Sequence, residues 1–152
     1  MKNRRTKQWE RDRLEMFRQR CRDSGLKITP QRLIVYQALL RTDQHPAAEQ
    51  IYRQVRRQMP NMSFDTVNRT LATLARIGAA FIVEGTGQPR RFDGGMEDHQ
   101  HFRCLRCDKI FDFHHPPFDN IEEPKGLGKK FKILRKTVYL EGLCDKCIGL
   151  EK

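Results

Sequence analysis

The sequence predicts an α+β chain in two parts: a helical N-terminal domain closed by a hairpin, and a smaller C-terminal α/β domain of short strands. Three observations predict it. Apolar residues recur at helical spacing as far as Ile77, and short strand-like runs replace them after Asp93. All of the excess positive charge lies before residue 93. Four of the five cysteines form two Cys-x-x-Cys pairs, both after residue 100.

Residues 9–24 read as a charged helix carrying Trp9, Leu14, Met16, Phe17 and Cys21, with Gly25 as its stop. Cys21, alone on that helix, reads as a small buried apolar group. Thr29 suits the N-cap of a second helix and Pro30 its first position, where the missing N–H costs nothing. Leu33, Tyr36 and Leu40 carry this helix to about residue 41. After the polar break Thr42–Pro46, a third helix with the stripe Ala48, Ile51, Tyr52, Val55 and Met59 is expected to run to Pro60. Ser63 caps a fourth helix that turns Val67, Leu71, Leu74 and Ile77 inward, and Gly78 ends it. Ala79–Val83 reads as a strand, Glu84–Pro89 as a turn and Arg90–Phe92 as the start of the returning strand. Short helices followed by a hairpin form the winged helix-turn-helix pattern, in which the last helix enters the DNA major groove.

Gly94–Asp98 looks like a connector. Strands are expected at Gln100–Arg103, Lys109–Phe113 and Phe131–Leu140. Pro124, Gly126 and Gly128 keep any helix over Glu122–Lys130 short or broken. The expected boundaries are therefore 1–92 for the first domain, 93–98 for a hinge and 99–152 for the second.

Residues 1–92 hold 19 Lys/Arg against 8 Asp/Glu, the entire net charge of +11, and residues 93–152 hold 11 of each. A basic domain joined to a neutral one is the polarity of a nucleic-acid-binding unit with a separate sensing or assembly unit. A merely solvated basic surface would give the same count, so the weight falls on particular side chains. On the fourth helix, Asp65, Asn68, Arg69, Ala72 and Arg76 face away from Val67, Leu71 and Leu74. Arg and Asn can bond bidentately to guanine and adenine edges, and neighbouring basic groups neutralise phosphates. The candidate DNA-binding residues are Thr66, Asn68, Arg69 and Arg76 on that helix, Arg32 before it, and Arg90, beside Arg91, on the hairpin. No apolar run approaches the roughly 18 residues of a membrane span. The charged opening Met1–Lys7 lacks a signal-peptide core. The expectation is a soluble, cytoplasmic protein with no membrane partner.

Cys104-x-x-Cys107 and Cys144-x-x-Cys147 are the most specific local signal. Two thiolates on each of two tight turns make the tetrahedral four-sulfur set that Zn²⁺ prefers. The 36 residues between the pairs must contain strands that bring them together. Either pair alone would equally suit a redox dithiol. Two pairs bracketing one small domain point to structural zinc.

A second group carries no sulfur: His45, Asp93, His99, His101 and Asp112. His99-x-His101 places two imidazoles on one face of an extended strand. Imidazole with carboxylate oxygen suits Fe²⁺, Mn²⁺ or Zn²⁺. On spacing alone a solvated surface pair is the commoner meaning of His-x-His. His114-His115-Pro116-Pro117 reads as a structural corner rather than a ligand pair.

Taken together these motifs are similar to the ferric uptake regulator (Fur) family, and most closely to its peroxide-responsive members. The resemblance runs from about Leu26 to Cys147 and rests on Ile28-Thr-Pro-Gln-Arg32, His45-Pro46, Ile51-Tyr52, Pro60-Asn-Met-Ser63 and Thr66-Val67. It continues through Arg91-Phe-Asp93, Asp98-His-x-His101, Lys109-Ile-x-Asp-Phe113 and the two cysteine pairs. It implies a winged-helix domain, a hinge, and a dimerisation domain with structural Zn²⁺ on Cys104, Cys107, Cys144 and Cys147. It also implies a regulatory Fe²⁺ or Mn²⁺ site at His45, Asp93, His99, His101 and Asp112. The protein it implies is a homodimeric repressor of a palindromic double-stranded DNA operator, not an enzyme. Asp112 is the subtype marker, since iron-sensing relatives commonly carry Glu there. In the peroxide-responsive subgroup, oxidation of a ligand histidine, here His45 or His99, releases the DNA.

The sequence departs from the family in three places. Asn68 stands where the family usually has a base-contacting Tyr, Lys136 where an accessory metal site has a His, and the helix over 122–130 is broken. An iron- or zinc-responsive uptake regulator is the alternative within the family. A metal-dependent enzyme built on the His/Asp group is the alternative outside it, but the chain offers no evident nucleophile or cofactor motif.

Overall fold

Side-chain caps set where the N-terminal helices begin. Helix α1 (Lys7–Asp23) starts at Thr6, whose hydroxyl accepts from the Trp9 N–H at 3.1 Å. Beyond it Gly25 takes φ +64°, a left-handed conformation that costs glycine little. Helix α2 (Pro30–Leu40) is capped by Thr29 and opened by Pro30, as the sequence predicts. Helix α3 (Ala48–Val55) lacks a capping hydroxyl, and Gln50 Oε1 accepts from the Ala47 N–H at 2.8 Å instead. It stops at Val55, short of the expected Pro60. The Gln58 and Met59 N–H groups both turn back to the Val55 carbonyl, and the residue before a proline is disfavoured in the helical region. Helix α4 (Phe64–Arg76) begins at Ser63, whose Oγ accepts from the Thr66 N–H at 3.1 Å.

The computed structural model describes residues 6–42, 44–85, 87, 89–95, 97–133 and 135–150. Expectations for Met1–Arg5, for Asp43 in the break, for Thr86 and Gln88 in the hairpin turn, for Met96 in the connector and for Leu134 fall outside them. The chain divides into two compact units, Met1–Met96 and Glu97–Lys152. Among the described residues no helix is long and apolar enough to cross a membrane.

The first unit holds one apolar core fed by all four helices. Phe17 and Cys21 from α1, Tyr36 and Leu39 from α2, Ile51 and Val55 from α3, and Val67, Leu71 and Leu74 from α4 are buried in it. Phe17 stacks on Tyr36 with centroids 4.5 Å apart. Burying side chains of this size stabilises by about 1.5–3 kcal/mol each. Strands β1 (Phe81–Ile82) and β2 (Phe92–Asp93) form the antiparallel hairpin, with Phe81 opposite Asp93 and Ile82 opposite Phe92. β1 is shorter than expected because Ala79 and Ala80 serve the helix instead, their N–H groups both reaching the Leu74 carbonyl. The segment before α3 is tied to the hairpin by an Ala47–Arg91 bridge and by Phe92 N–H donating to the Pro46 carbonyl at 2.9 Å.

The second unit is a three-stranded sheet with very short helices. Strand β3 (Gln100–Cys104) lies between β4 (Ile110–Phe113), antiparallel to it, and β5 (Tyr139–Gly142), parallel to it. The expected strand over Phe131–Leu140 is realised only from Tyr139. The ladder with β3 opens with Tyr139 opposite His101, one residue inside the start of β3 at Gln100. Helix α5 (Pro116–Asp119) follows the His114-His115 corner, and a 3₁₀ turn at Gly128–Lys130 is all that forms in the Pro/Gly-interrupted stretch. The corner is held as a structural unit: Gln100 accepts from the His115 N–H and donates to Asp119, each at 2.8 Å, and His114 Nε2 meets Asp119 Oδ2 at 2.8 Å. Helix α6 (Asp145–Ile148) contains Cys147 and has Cys144 at its N-cap.

Candidate metal centres and nucleic-acid interface

The four cysteines converge at the end of the second unit's sheet. Cys104 closes β3, Cys107 follows it on a tight turn, and the β3–β5 register sets Cys104 opposite Gly142, two residues before Cys144. Their sulfurs all lie within 4.8 Å of one another. Four thiolates bound at about 2.3 Å on tetrahedral corners would stand roughly 3.8 Å apart. Cys107 Sγ and Cys144 Sγ are 3.8 Å apart. The donor type and the spacing both fit one tetrahedral ion. Backbone N–H groups, that of Cys107 foremost, lower the Cys104 thiol to about 6, whereas burial pushes Cys147 up to about 12. Cys104, Cys144 and Cys147 are also the whole buried apolar cluster described in this unit, with only Phe102 and Leu143 packed against it.

The nitrogen and oxygen donors fall into two sets, one in each unit. In the second unit, His101 on β3 pairs in register with Asp112 on β4, so both side chains leave the same face. His99, two residues before His101, joins them. His99 Nε2 lies 3.1 Å from His101 Nε2 and 3.7 Å from Asp112 Oδ1, and His101 Nε2 lies 3.4 Å from Asp112 Oδ1. Donors bound at about 2.0–2.2 Å stand roughly 2.8–3.6 Å apart in octahedral or tetrahedral sets. The Glu97 carbonyl sits 2.8 Å from His99 Nδ1, which places the ring proton there and leaves the Nε2 lone pair facing the cluster. Two imidazole nitrogens and a carboxylate so disposed are suited to sharing a cation.

In the first unit, His45 and Asp93 are both buried, with His45 Nε2 3.5 Å from Asp93 Oδ2. Asp93 Oδ1 accepts from the Gly95 N–H at 2.7 Å, which orients the carboxylate. A carboxylate and an imidazole withdrawn from water together call for a shared proton or a cation. His45 takes φ +49°, a left-handed conformation uncommon for a residue with a side chain.

On α4 the expected polar face forms. Asn68, Arg69, Ala72 and Arg76 are exposed while Val67, Thr70, Leu71 and Leu74 point inward. Thr66 is half-buried and engaged locally, its Oγ1 2.9 Å from Ser63 Oγ. Arg69 is ion-paired with Asp65, Nε to Oδ2 2.9 Å, and both remain open to solvent. Arg32 is half-buried, and its Nη1 donates to the Lys27 carbonyl at 2.5 Å in an exposed local contact. Arg90 is exposed on the hairpin. Arg91, read from the sequence as its companion toward DNA, turns the other way and donates to the Gln44 and His45 carbonyls. Strand alternation carried that signal, because residues 91 and 93 share a face.

The profile of the Ferric uptake regulator family matches residues 23–141. The chain is 32% identical over 126 residues to the peroxide operon regulator of Bacillus subtilis, covering 83% of this chain and 87% of that protein. In structure it resembles the Helicobacter pylori ferric uptake regulator Fur, with TM-score 0.70 and 28% identity over 93% of this chain and 95% of that one. It also resembles the Campylobacter jejuni peroxide stress regulator, with TM-score 0.61 and 25% identity over 88% and 98% of the two chains.

Proposed function

Because the chain belongs to the ferric uptake regulator family, whose members are metal-responsive transcriptional regulators and not enzymes, we propose that it is a DNA-binding repressor released by peroxide. The observation that carries this reading is the pure nitrogen/oxygen donor set in which Asp112 stands in register with His101. In this reading Cys104, Cys107, Cys144 and Cys147 hold a structural Zn²⁺, and the closed four-thiolate set stabilises the second unit. His45, Asp93, His99, His101 and Asp112 together hold Fe²⁺ or Mn²⁺. One ion taking ligands from both units would fix their relative orientation, and its binding free energy would favour the DNA-competent shape.

A bound Fe²⁺ would supply local reduction of peroxide next to the imidazoles. His45 or His99 would then take up one oxygen atom and become a weaker ligand, so that the ion would be lost and the operator released. Mn²⁺ supports the same shape without that reaction. Such a regulator acts in the cytoplasm.

Asn68, Arg69, Arg76 and Thr66 on α4, with Arg32 on α2 and Arg90 on the hairpin, read a palindromic operator as a homodimer. The dimer reading draws support from the second sheet. Phe111, Phe102 and Leu140 align across its three strands on the face opposite His101 and Asp112. Phe111 is 38% and Leu140 41% exposed, which leaves an apolar stripe for a second copy to cover.

Peptide mass mapping after mild peroxide treatment tests this function. The Fe²⁺ form should gain one oxygen atom on His45 or His99 and lose DNA binding, while the Mn²⁺ form keeps both. Loss of DNA binding with unmodified histidines and oxidised cysteines would move sensing to the thiolates. Equal insensitivity of the two forms would favour a metal-uptake regulator.

A further inference from the structure

We propose that Arg91 is a positioning residue for the metal ligand His45: by gripping the carbonyls of Gln44 and His45, its guanidinium holds the His45 backbone in the conformation that aims the imidazole at Asp93. The inference rests on the reading of His45 as a ligand, and goes beyond it in assigning a residue that binds no metal.

Three observations converge. His45 has φ +49°, a conformation that residues with a Cβ seldom adopt unless the surroundings impose it. Arg91 Nε donates to the His45 carbonyl, and Arg91 Nη2 donates to the Gln44 carbonyl at 2.7 Å. The planar guanidinium fork matches two adjacent acceptors, which a lysine ammonium on a flexible stem does not. The same chain segment is also stitched by the Ala47–Arg91 bridge and the Phe92-to-Pro46 hydrogen bond, so the hairpin strand forms the template on which the turn is set.

Sequence geometry explains why this strand can do it. Residues 91 and 93 leave one face of an extended chain, so the strand that presents Asp93 also presents the arginine that sets Asp93's partner. His45 Nε2 and Asp93 Oδ2 are thereby held 3.5 Å apart. Without Arg91, an ion would have to order the turn as well as bind, and its affinity would fall accordingly.

The test measures Mn²⁺ affinity of the full-length, zinc-loaded protein, following free Mn²⁺ by electron paramagnetic resonance, for the wild type, Arg91→Ala, Arg91→Lys and His45→Ala. Loss of an outer-shell orienting partner weakens metal binding by about 10–100-fold, and that is the drop expected for Arg91→Ala. Arg91→Lys should fall between, zinc content should not change, and saturating Mn²⁺ should restore DNA binding to Arg91→Ala. Wild-type affinity in Arg91→Ala alongside a loss in His45→Ala would overturn the proposal. So would an Arg91→Ala protein that fills with Mn²⁺ yet cannot bind DNA, because Arg91 would then be a DNA contact. Wild-type affinity in His45→Ala would instead overturn the ligand reading beneath it. Should Arg91→Ala not fold, Arg91→Lys decides: a several-fold loss supports the role, and unchanged affinity refutes it.

Discussion

Removing zinc should unfold the second unit and leave the first standing. The perturbation is dialysis against a strong chelator, or Cys104→Ser or Cys144→Ser. The first unit keeps a core of large buried side chains from four helices. The second has only Cys104, Cys144 and Cys147 buried in its cluster, and all three are the assigned ligands. Ordering each residue of a chain costs about 1–2 kcal/mol, and a fully buried large side chain returns about 1.5–3 kcal/mol. No such side chain lies in the described cluster, and among the described residues Ile110 is the one buried aliphatic elsewhere in the unit, so the ion carries much of that offset. A ligand present at about 1,000 times its dissociation constant stabilises by ~4 kcal/mol, and this is the least that chelation should remove. Hydrogen exchange followed by mass spectrometry reads the loss at particular amides. The Cys104 N–H bonded to Lys109, the Leu105 N–H bonded to Gly142 and the Ile148 N–H bonded to Cys144 should lose protection. Amides inside α2 and α4 should keep theirs. Protection that survives chelation at the three named amides, or that is lost in both units together, would refute the reasoning.

Three further outcomes follow from the first unit. Arg69→Ala should weaken binding to a selected operator by about 1–3 kcal/mol and relax base preference, whereas Arg90→Ala should weaken all duplexes alike and flatten the salt dependence; equal, sequence-independent losses would reduce Arg69 to a phosphate contact. Burial pushes the Tyr36 phenol above the usual tyrosine range, so its stabilising contribution is complete below the unfolded value of about 10 and is lost as pH rises through the folded value; urea midpoints of Tyr36→Phe should fall less between pH 8 and 11 than those of the wild type. A Cβ on Gly94 would stand 3.1 Å from Leu39 Cγ and 3.3 Å from Leu40 Cδ2, both buried, so Gly94→Ala should cost about 1–3 kcal/mol in a thermal melt, and an unchanged melt would show that α2 yields.

Much of the fold was legible because local chemistry and tertiary packing agree. Thr29, Pro30 and Ser63 mark helix starts by hydrogen bonds their own side chains make or forgo, and the structure places each at a helix start. The cysteine pairs were legible because two-residue spacing on a turn is itself a ligand geometry. What failed depends on partners distant in sequence. The run Phe131–Leu140 reads as a strand, but its ladder with β3 opens only at Tyr139, opposite His101. Met59, beyond the end of α3, continues the spacing of its apolar stripe and packs on the core, so periodicity counted it as helix while Pro60 shaped the backbone before it. Arg91 looks like a surface cation in sequence, yet it donates to the backbone carbonyls of Gln44 and His45. The His/Asp donors were weakest on spacing alone, since His101 and Asp112 meet only through a strand register that no local pattern encodes.

The central claim is that metal at the His/Asp donors governs DNA binding. The most direct measurement is the dissociation constant for a duplex selected from a random pool, taken on zinc-loaded protein with and without Mn²⁺, for the wild type and for His101→Ala. Mn²⁺ should tighten the wild-type complex at least tenfold, about 1.4 kcal/mol of coupling, and leave His101→Ala unmoved. Equal affinity of the wild type with and without Mn²⁺, or an equal response in His101→Ala, would contradict the account.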